Sequence, residues 1–305
     1  MSELVSYFNG EWVPDSQVTI HPADRGFTMG DVVFDVERTF DGKIFMLREH
    51  TDRLLRSLKY MRIDCGVSME EMASISEEVV ERNKSLLPTG SDFLVRQTVS
   101  RGRPFHGSQG TPSDEMNPTV IVSVVPISWG FAKCYETGTP VVIPSVRSYS
   151  SSSLDPKAKH YSRGNFVLAQ LEAGDIDPDA HVVLLDQDGN ITEGMTNNFF
   201  IVTNGVIRTS KDTNILQDIS RMAIFKLADQ LNIPIIEEDL QPYDAYTADE
   251  AFLSNSVFQL LPVNAIDKRP VADDVPGPTS SQILAAWSEL VGVDIVGQAL
   301  EQAKK

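Results

Sequence analysis

Apolar residues recur along this chain first at every second position and then at every third or fourth, and each change of period marks a predicted element. Tyr7, Phe8, Trp12 and Val13 flank Asn9-Gly10, a two-residue turn signal, and predict a hairpin. Val32, Val33, Phe34, Val36 and Phe40 predict a strand that turns at Asp41-Gly42 and returns through Ile44, Phe45, Met46 and Leu47. From Glu49 the period becomes helical: Leu54, Leu55, Leu58 and Met61 share one face of a helix that ends near Arg62, and a second helix is predicted over 68–87. Strands over 93–100 and 119–125 bracket a basic Gly/Pro loop that holds Arg101, Arg103 and His106.

Pro126, Trp129 and Gly130 break this pattern and suggest a linker. Beyond it come a strand at Val141, Val142 and Ile143, a polar run over 148–153, and a helical stripe that begins at Phe166, Val167, Leu168 and Leu171. Strands over 182–185, 198–202 and 206–209 follow, with turns at Asp188-Gly189-Asn190 and Asn204-Gly205. A helix over 220–231, a strand at Ile235 and Ile236, a short helical region over 245–248, and strands over 250–255 and near 261–263 lead to a last helix through Ile283, Leu284, Trp287 and Leu290. Strands and helices do not alternate as βαβ units, so the expected class is α+β. Two domains are expected: a small one over 1–125, a linker over 126–135, and a larger one over 136–305.

Composition narrows the function. With 41% hydrophobic residues in 305, the chain can bury real cores, which excludes a disordered protein. A net charge of −17 repels phosphate backbones and anionic lipid, so neither nucleic acid nor membrane is an expected partner. Cys65 and Cys134 stand far apart in no metal-ligand spacing, and no metal is expected. No basic segment followed by an apolar core, and no 18-residue apolar run, is found; the expected compartment is the cytoplasm.

The candidate chemistry starts at residues 155–166. Asp155-Pro156 can stop a strand, and the stripe from Phe166 is helical, so Lys159 is expected just before a helix or in its first turn. There the helix dipole and partial burial would both favour the neutral amine, the form that adds to a carbonyl to give a Schiff base. Read alone, Lys157 and Lys159 are a solvated pair on a loop.

Three segments in order change that reading. Lys159 precedes Gly164-Asn165, Glu193 opens Glu193-Gly194-Met195-Thr196-Asn197-Asn198-Phe199-Phe200, and Leu216-Gln217-Asp218-Ile219-Ser220-Arg221 precedes a helix. Together they resemble the class IV pyridoxal-phosphate aminotransferases, which include branched-chain, D-amino-acid and R-selective amine transaminases and aminodeoxychorismate lyase. The resemblance runs from Asn9-Gly10 to the last helix. It implies a small N-terminal domain and a larger pseudo-barrel domain carrying Lys159, with pyridoxal 5′-phosphate as cofactor. It further implies at least a homodimer and amino-group transfer between an amino acid or chiral amine and a 2-oxo acid.

By the same resemblance Lys159 holds the cofactor as an internal aldimine and shuttles a proton, and Glu193 pairs with the pyridine nitrogen. Arg53, Ile219, Ser220 and Ser256 then hold the phosphate, the middle two at a helix N-terminus. Phe34, Arg38, Arg96, Arg103, His106 and Trp129 are candidate substrate contacts: Arg38 and Arg96 resemble branched-chain enzymes, Arg103 and His106 D-amino-acid enzymes. The chain departs from the family at Met195 and Asp218, where a small residue and a glycine are usual. It departs again at Phe166, Met29 and Leu94, each standing in place of a tyrosine. A lyase of the aminodeoxychorismate type, and more remotely an acidic binding protein without catalysis, remain alternatives.

Overall fold

The computed structural model describes residues 3–104, 116–272 and 274–305, which form two compact units. The first holds residues up to Ile127 together with Ala158–Ser162; the second holds Ser128–Lys157 and Arg163–Lys305. The chain therefore leaves the second unit at Lys157 and returns to it at Arg163. This corrects the expectation that Lys159 belongs to the larger domain.

In the first unit β1 (Val5–Phe8) and β2 (Glu11–Pro14) form the hairpin, α1 (Arg25–Met29) is a short turn, and β3 (Val32–Phe40) is followed by β4 (Lys43–Ile44). Two helices, α2 (Leu47–Met61) and α3 (Met69–Asn83), separate β4 from β5 (Phe93–Pro104) and β6 (Met116–Pro126). The sheet order is β2-β1-β6-β5-β3-β4, and every pairing is antiparallel. Alternation puts Val95 and Val99 of β5 and Val122 of β6 in one core with Leu54 and Leu58 of α2 and Val79 of α3. The opposite face carries Phe34, Arg96 and Thr98.

Two expected boundaries moved, each for a local reason. The return strand is only Lys43–Ile44, because Met46 takes a left-handed backbone (φ 50°) and Leu47 opens α2. The helix expected to reach residue 87 is α-helical to Asn83 and tightens to a 3-10 turn over Lys84–Leu86; the Asn83 side chain turns to β1, accepting from the Val5 N–H (2.8 Å) and donating to its carbonyl (2.8 Å).

The second unit contains α4 (Cys134–Thr137), β7 (Thr139–Val142), α5 (Gly164–Ile176), β8 (His181–Val182), β9 (Asn198–Thr203) and β10 (Val206–Ser210). It continues through α6 (Ile219–Gln230), β11 (Ile235–Glu238), α7 (Pro242–Tyr246), β12 (Glu250–Asn255), β13 (Gln259–Ile266), β14 (Arg269–Pro270), α8 (Pro278–Val291) and α9 (Ile295–Gln302). Its sheet runs β11-β10-β9-β12-β13-β7-β8, with β14 on β13, and mixes parallel with antiparallel pairs. The class is α+β. Among the described residues no single helix is long and apolar enough to cross a membrane; α8 and α9 reach that length only as a pair bent by 87°.

α8 is anchored by an internal anion. Glu250 accepts from the Thr279 and Ser280 N–H groups at 2.8 and 2.9 Å and from the Ser280 hydroxyl at 2.7 Å, satisfying donors that the first turn of a helix leaves open.

Candidate active site

In the first unit the segment around Lys159 is extended rather than helical. It pairs antiparallel with the start of β3: the Phe34 N–H donates to the Lys159 carbonyl (3.0 Å), and the Tyr161 N–H to the Val32 carbonyl (3.0 Å). The Lys159 N–H donates to the Ser57 hydroxyl (3.1 Å), tying the segment to α2 as well. α5 begins only at Gly164, so the expected dipole effect on Lys159 is withdrawn: the influence of a helix end fades within a turn. The ammonium lies 5.0 Å from the centroid of the Phe34 ring, which stacks on Tyr161 at 4.0 Å. Tyr161, Val32, Thr98, Ile121, Phe27 and Asp24 line a cavity of about 250 Å³ in the same unit. The Asp24 carboxylate there is satisfied by the Gly26 N–H and the Ser100 and Thr119 hydroxyls, leaving largely apolar walls.

Arg53 is 2% exposed and meets Asp35 on two edges, Nε to Oδ2 at 2.8 Å and a terminal nitrogen to Oδ1 at 2.7 Å. His50, one turn earlier on α2, places Nδ1 2.8 Å from the same Oδ1. Burial alone would raise the Asp35 carboxyl, but the charges and hydrogen bonds of Arg53 and His50 hold it well below the carboxylate range.

The other arginines separate by burial. Arg38 is 1% exposed, lies 3.7 Å from Asp92 and stacks over Phe40 at 4.5 Å, so it is a core ion pair and the substrate role expected of it is withdrawn. Arg96 is exposed on the same sheet face as Phe34, opposite Val36. Arg103 is exposed near the end of β5, and His106 lies outside the described residues. Arg101 is structural: it grips Asp31 at 2.6 and 3.0 Å and donates to the Met61 and Arg62 carbonyls.

In the second unit Glu193 follows the 186–190 turn and is 6% exposed. Its Oε2 accepts from the Leu216 N–H at 3.0 Å and from the Asn198 amide at 3.3 Å. Gly194, the next residue, lets the Asn197 side chain and the Val182 carbonyl pack against it, where a Cβ would collide with both. Ile219 and Ser220 open α6 and are buried, and the Asp218 side chain does not cap the helix. Ser256 is half-buried just after β12, in a turn shaped by Asn255, whose Oδ1 accepts from the Val257 and Phe258 N–H groups. Trp129 is nearly buried and sits 6.0 Å from Phe131, while Phe166 packs among Val142, Ala169 and Leu184.

The sequence reading missed Asp35, His50, Glu37, Ser57, Tyr161 and Asn198. A signal existed for the first three. Two acids at alternate positions of the apolar run 32–40, opposite a His and an Arg one turn apart on the next helix, predict a buried charged layer.

Comparison with known proteins gives the class. The family model for class IV amino-transferases matches residues 32–266. A provisionally named branched-chain-amino-acid aminotransferase of Methanocaldococcus jannaschii is 32% identical over 285 residues, covering 93% of this chain and 95% of that protein. A D-alanine aminotransferase of Staphylococcus aureus is 28% identical over 288 residues, covering 93% of this chain and 97% of that protein. The crystal structure of the Escherichia coli branched-chain amino acid aminotransferase superposes with a TM-score of 0.85 at 28% identity, covering 95% of each chain. The chain belongs to the class IV aminotransferase family. It is an aminotransferase, and the family's cofactor is pyridoxal 5′-phosphate.

Proposed function

We propose that Lys159 is the reacting lysine of a transaminase that moves an amino group from an amino acid with an apolar side chain to a 2-oxo acid. The observation that carries this is the fixed placement of Lys159: its backbone is bonded to β3 and α2, and its amine lies against the Phe34 ring. An amine so held can bind a carbonyl covalently and, once displaced, move a proton at the substrate Cα.

The residues present fit the cofactor. In the second unit the α6 N-terminus has amide donors without a side-chain cap, as a phosphate requires, and Ser220 and Ser256 would add donors; in the first, Arg53 carries the guanidinium that the family resemblance assigns to the phosphate. Glu193 is a buried carboxylate oriented by N–H donors, suited to hold a proton on a pyridine nitrogen. When bound, the cofactor supplies the electron sink for the carbanion.

Arg96 is the proposed contact for the substrate carboxylate, because it is exposed on the face that carries Phe34. The cavity beside Tyr161 is the proposed place for the side chain. The similarity to both a branched-chain and a D-alanine aminotransferase supports an amino-acid donor and leaves its handedness open. We place the enzyme in the cytoplasm and expect a homodimer, since Phe27 (75% exposed) and Leu168 and Leu171 (61% and 64%) leave apolar surface to cover. Light scattering checks the dimer, and a monomer at micromolar concentration removes it.

Borohydride reduction of the loaded enzyme followed by peptide mapping tests the lysine. The cofactor mass is expected on the peptide holding Lys159, and Lys159→Ala should lose both the label and turnover. A label on any other lysine overturns the assignment.

A further inference from the structure

β3 carries two acids on its buried face, Asp35 and Glu37, two residues apart and therefore on one side of the strand. Asp35 is answered by Arg53 and His50. Glu37 is fully buried, and neither of its carboxyl oxygens has a hydrogen-bond partner among the described residues. A buried polar group left unmatched is costly and calls for a reason.

A second orphan lies on the neighbouring strand. The β3–β5 register sets Gln97 opposite Asp35 and Val95 opposite Glu37, so Gln97 is the diagonal neighbour of Glu37 on the same face. The Gln97 amide nitrogen donates to the Ser76 hydroxyl at 2.9 Å and reaches the Thr51 hydroxyl at 3.4 Å; Ser76 gives its own proton to the Met72 carbonyl (2.9 Å) and can only accept from Gln97, which fixes which end is oxygen. That oxygen has no partner among the described residues. Two anionic or neutral acceptors cannot satisfy each other, whereas a protonated Glu37 becomes a donor.

The surroundings agree. The titratable and charged groups facing Glu37 are Asp35 on its own strand and His50 and Arg53 on α2; β5 and α3 present neutral Gln97 and Ser76. Burial, then the Asp35 charge, push the Glu37 carboxyl well above the carboxylate range, against the pull of Arg53.

We infer that Glu37 is carried as the neutral acid and is a positioning residue for Arg53: its proton keeps a second carboxylate charge away from a guanidinium that has to attract phosphate. The inference rests on the proposed role of Arg53 in holding the cofactor phosphate. Glu37 touches neither substrate nor cofactor. Its ionisation lowers the positive potential at Arg53 and loosens phosphate binding as pH rises.

The test is the dissociation constant of pyridoxamine phosphate, which forms no bond to a lysine, measured by equilibrium dialysis from about pH 7 to about pH 10 for the wild type, Glu37→Gln and Arg53→Lys. Across that range the wild-type constant should rise about tenfold more than that of Glu37→Gln, whose amide cannot ionise. Glu37→Met, also neutral, should follow Glu37→Gln and serves if the glutamine variant does not fold. If Arg53→Lys weakens binding but the wild type and the Glu37 variants share one pH profile, the inference fails alone. If Arg53→Lys binds as tightly as the wild type, the phosphate role of Arg53 fails first and takes the inference with it.

Discussion

The two units hold their buried acids by opposite means. In the first, apart from Asp24 and Glu37, charge meets charge: Asp35 faces Arg53 at 2.7 and 2.8 Å, Asp92 faces Arg38, and Asp31 gathers Arg25 and Arg101. In the second, Glu193 accepts from a backbone N–H and an amide, and Glu250 from two backbone N–H groups and a hydroxyl. A carboxylate matched by a guanidinium contributes little net field. One held by neutral dipoles keeps its full charge for use. The first arrangement fixes a cation in place; in the second, Glu250 anchors a helix start, and Glu193 is the acid proposed to present its charge to the cofactor.

The largest effect that would sharpen this contrast is expected at Asp35. Asp35→Ala strips Arg53 and His50 of their buried partner and should lower stability by about 3–5 kcal/mol, because the remaining charge is left uncompensated. Urea unfolding measures it. A loss of under about 1 kcal/mol would mean that water or another group replaces the carboxylate, and the pair would not be structural.

Glu193→Gln is the complementary substitution. Glutamine keeps an acceptor for the Leu216 N–H and the Asn198 amide, so unfolding should shift by only about 1 kcal/mol. What it loses is the charge, and kcat should fall about a hundredfold. If instead Glu193→Gln unfolds the protein as Asp35→Ala does, the distinction between anchoring and presenting acids collapses.

Much of this was legible in the sequence because it rests on local rules. Asn9-Gly10, the alternation in Val32 to Phe40, and the Leu54, Leu55, Leu58 stripe specify their elements without help from distant residues. The positions of Glu193, Ile219 and Ser220 near a turn and a helix start were readable for the same reason. What stayed hidden depends on long-range partners. That Lys159 lies along β3, away from any helix, is fixed by Val32, Phe34 and Ser57, more than a hundred residues earlier. Arg38 and Arg96 look alike in sequence, two arginines in apolar strands, and the register puts both on one face; only their surroundings seal Arg38 against Asp92 and leave Arg96 exposed. The division into units was read by contiguity, and five residues at Ala158–Ser162 break it.

The smallest expected effect concerns Glu37, the one acid among these that neither a cation nor an amide answers. Its ordinary value of 4.5 describes the unfolded chain, and the folded value lies well above it. Between the two the folded protein holds a proton that the unfolded chain has released, so stability falls as pH rises through that window. Glu37→Gln removes the coupling while offering an N–H to the Gln97 oxygen. At neutral pH the variant should be more stable by about 1 kcal/mol, a rise of roughly 2–4 °C in the unfolding midpoint. As the pH falls below about 4.5 the gap should close, because both states of the wild type are then protonated. Thermal unfolding of the two proteins at matched pH values decides it. A gap that stays constant with pH would show that Glu37 does not change its protonation on folding, and it would join Asp35 among the ionised acids of the first unit.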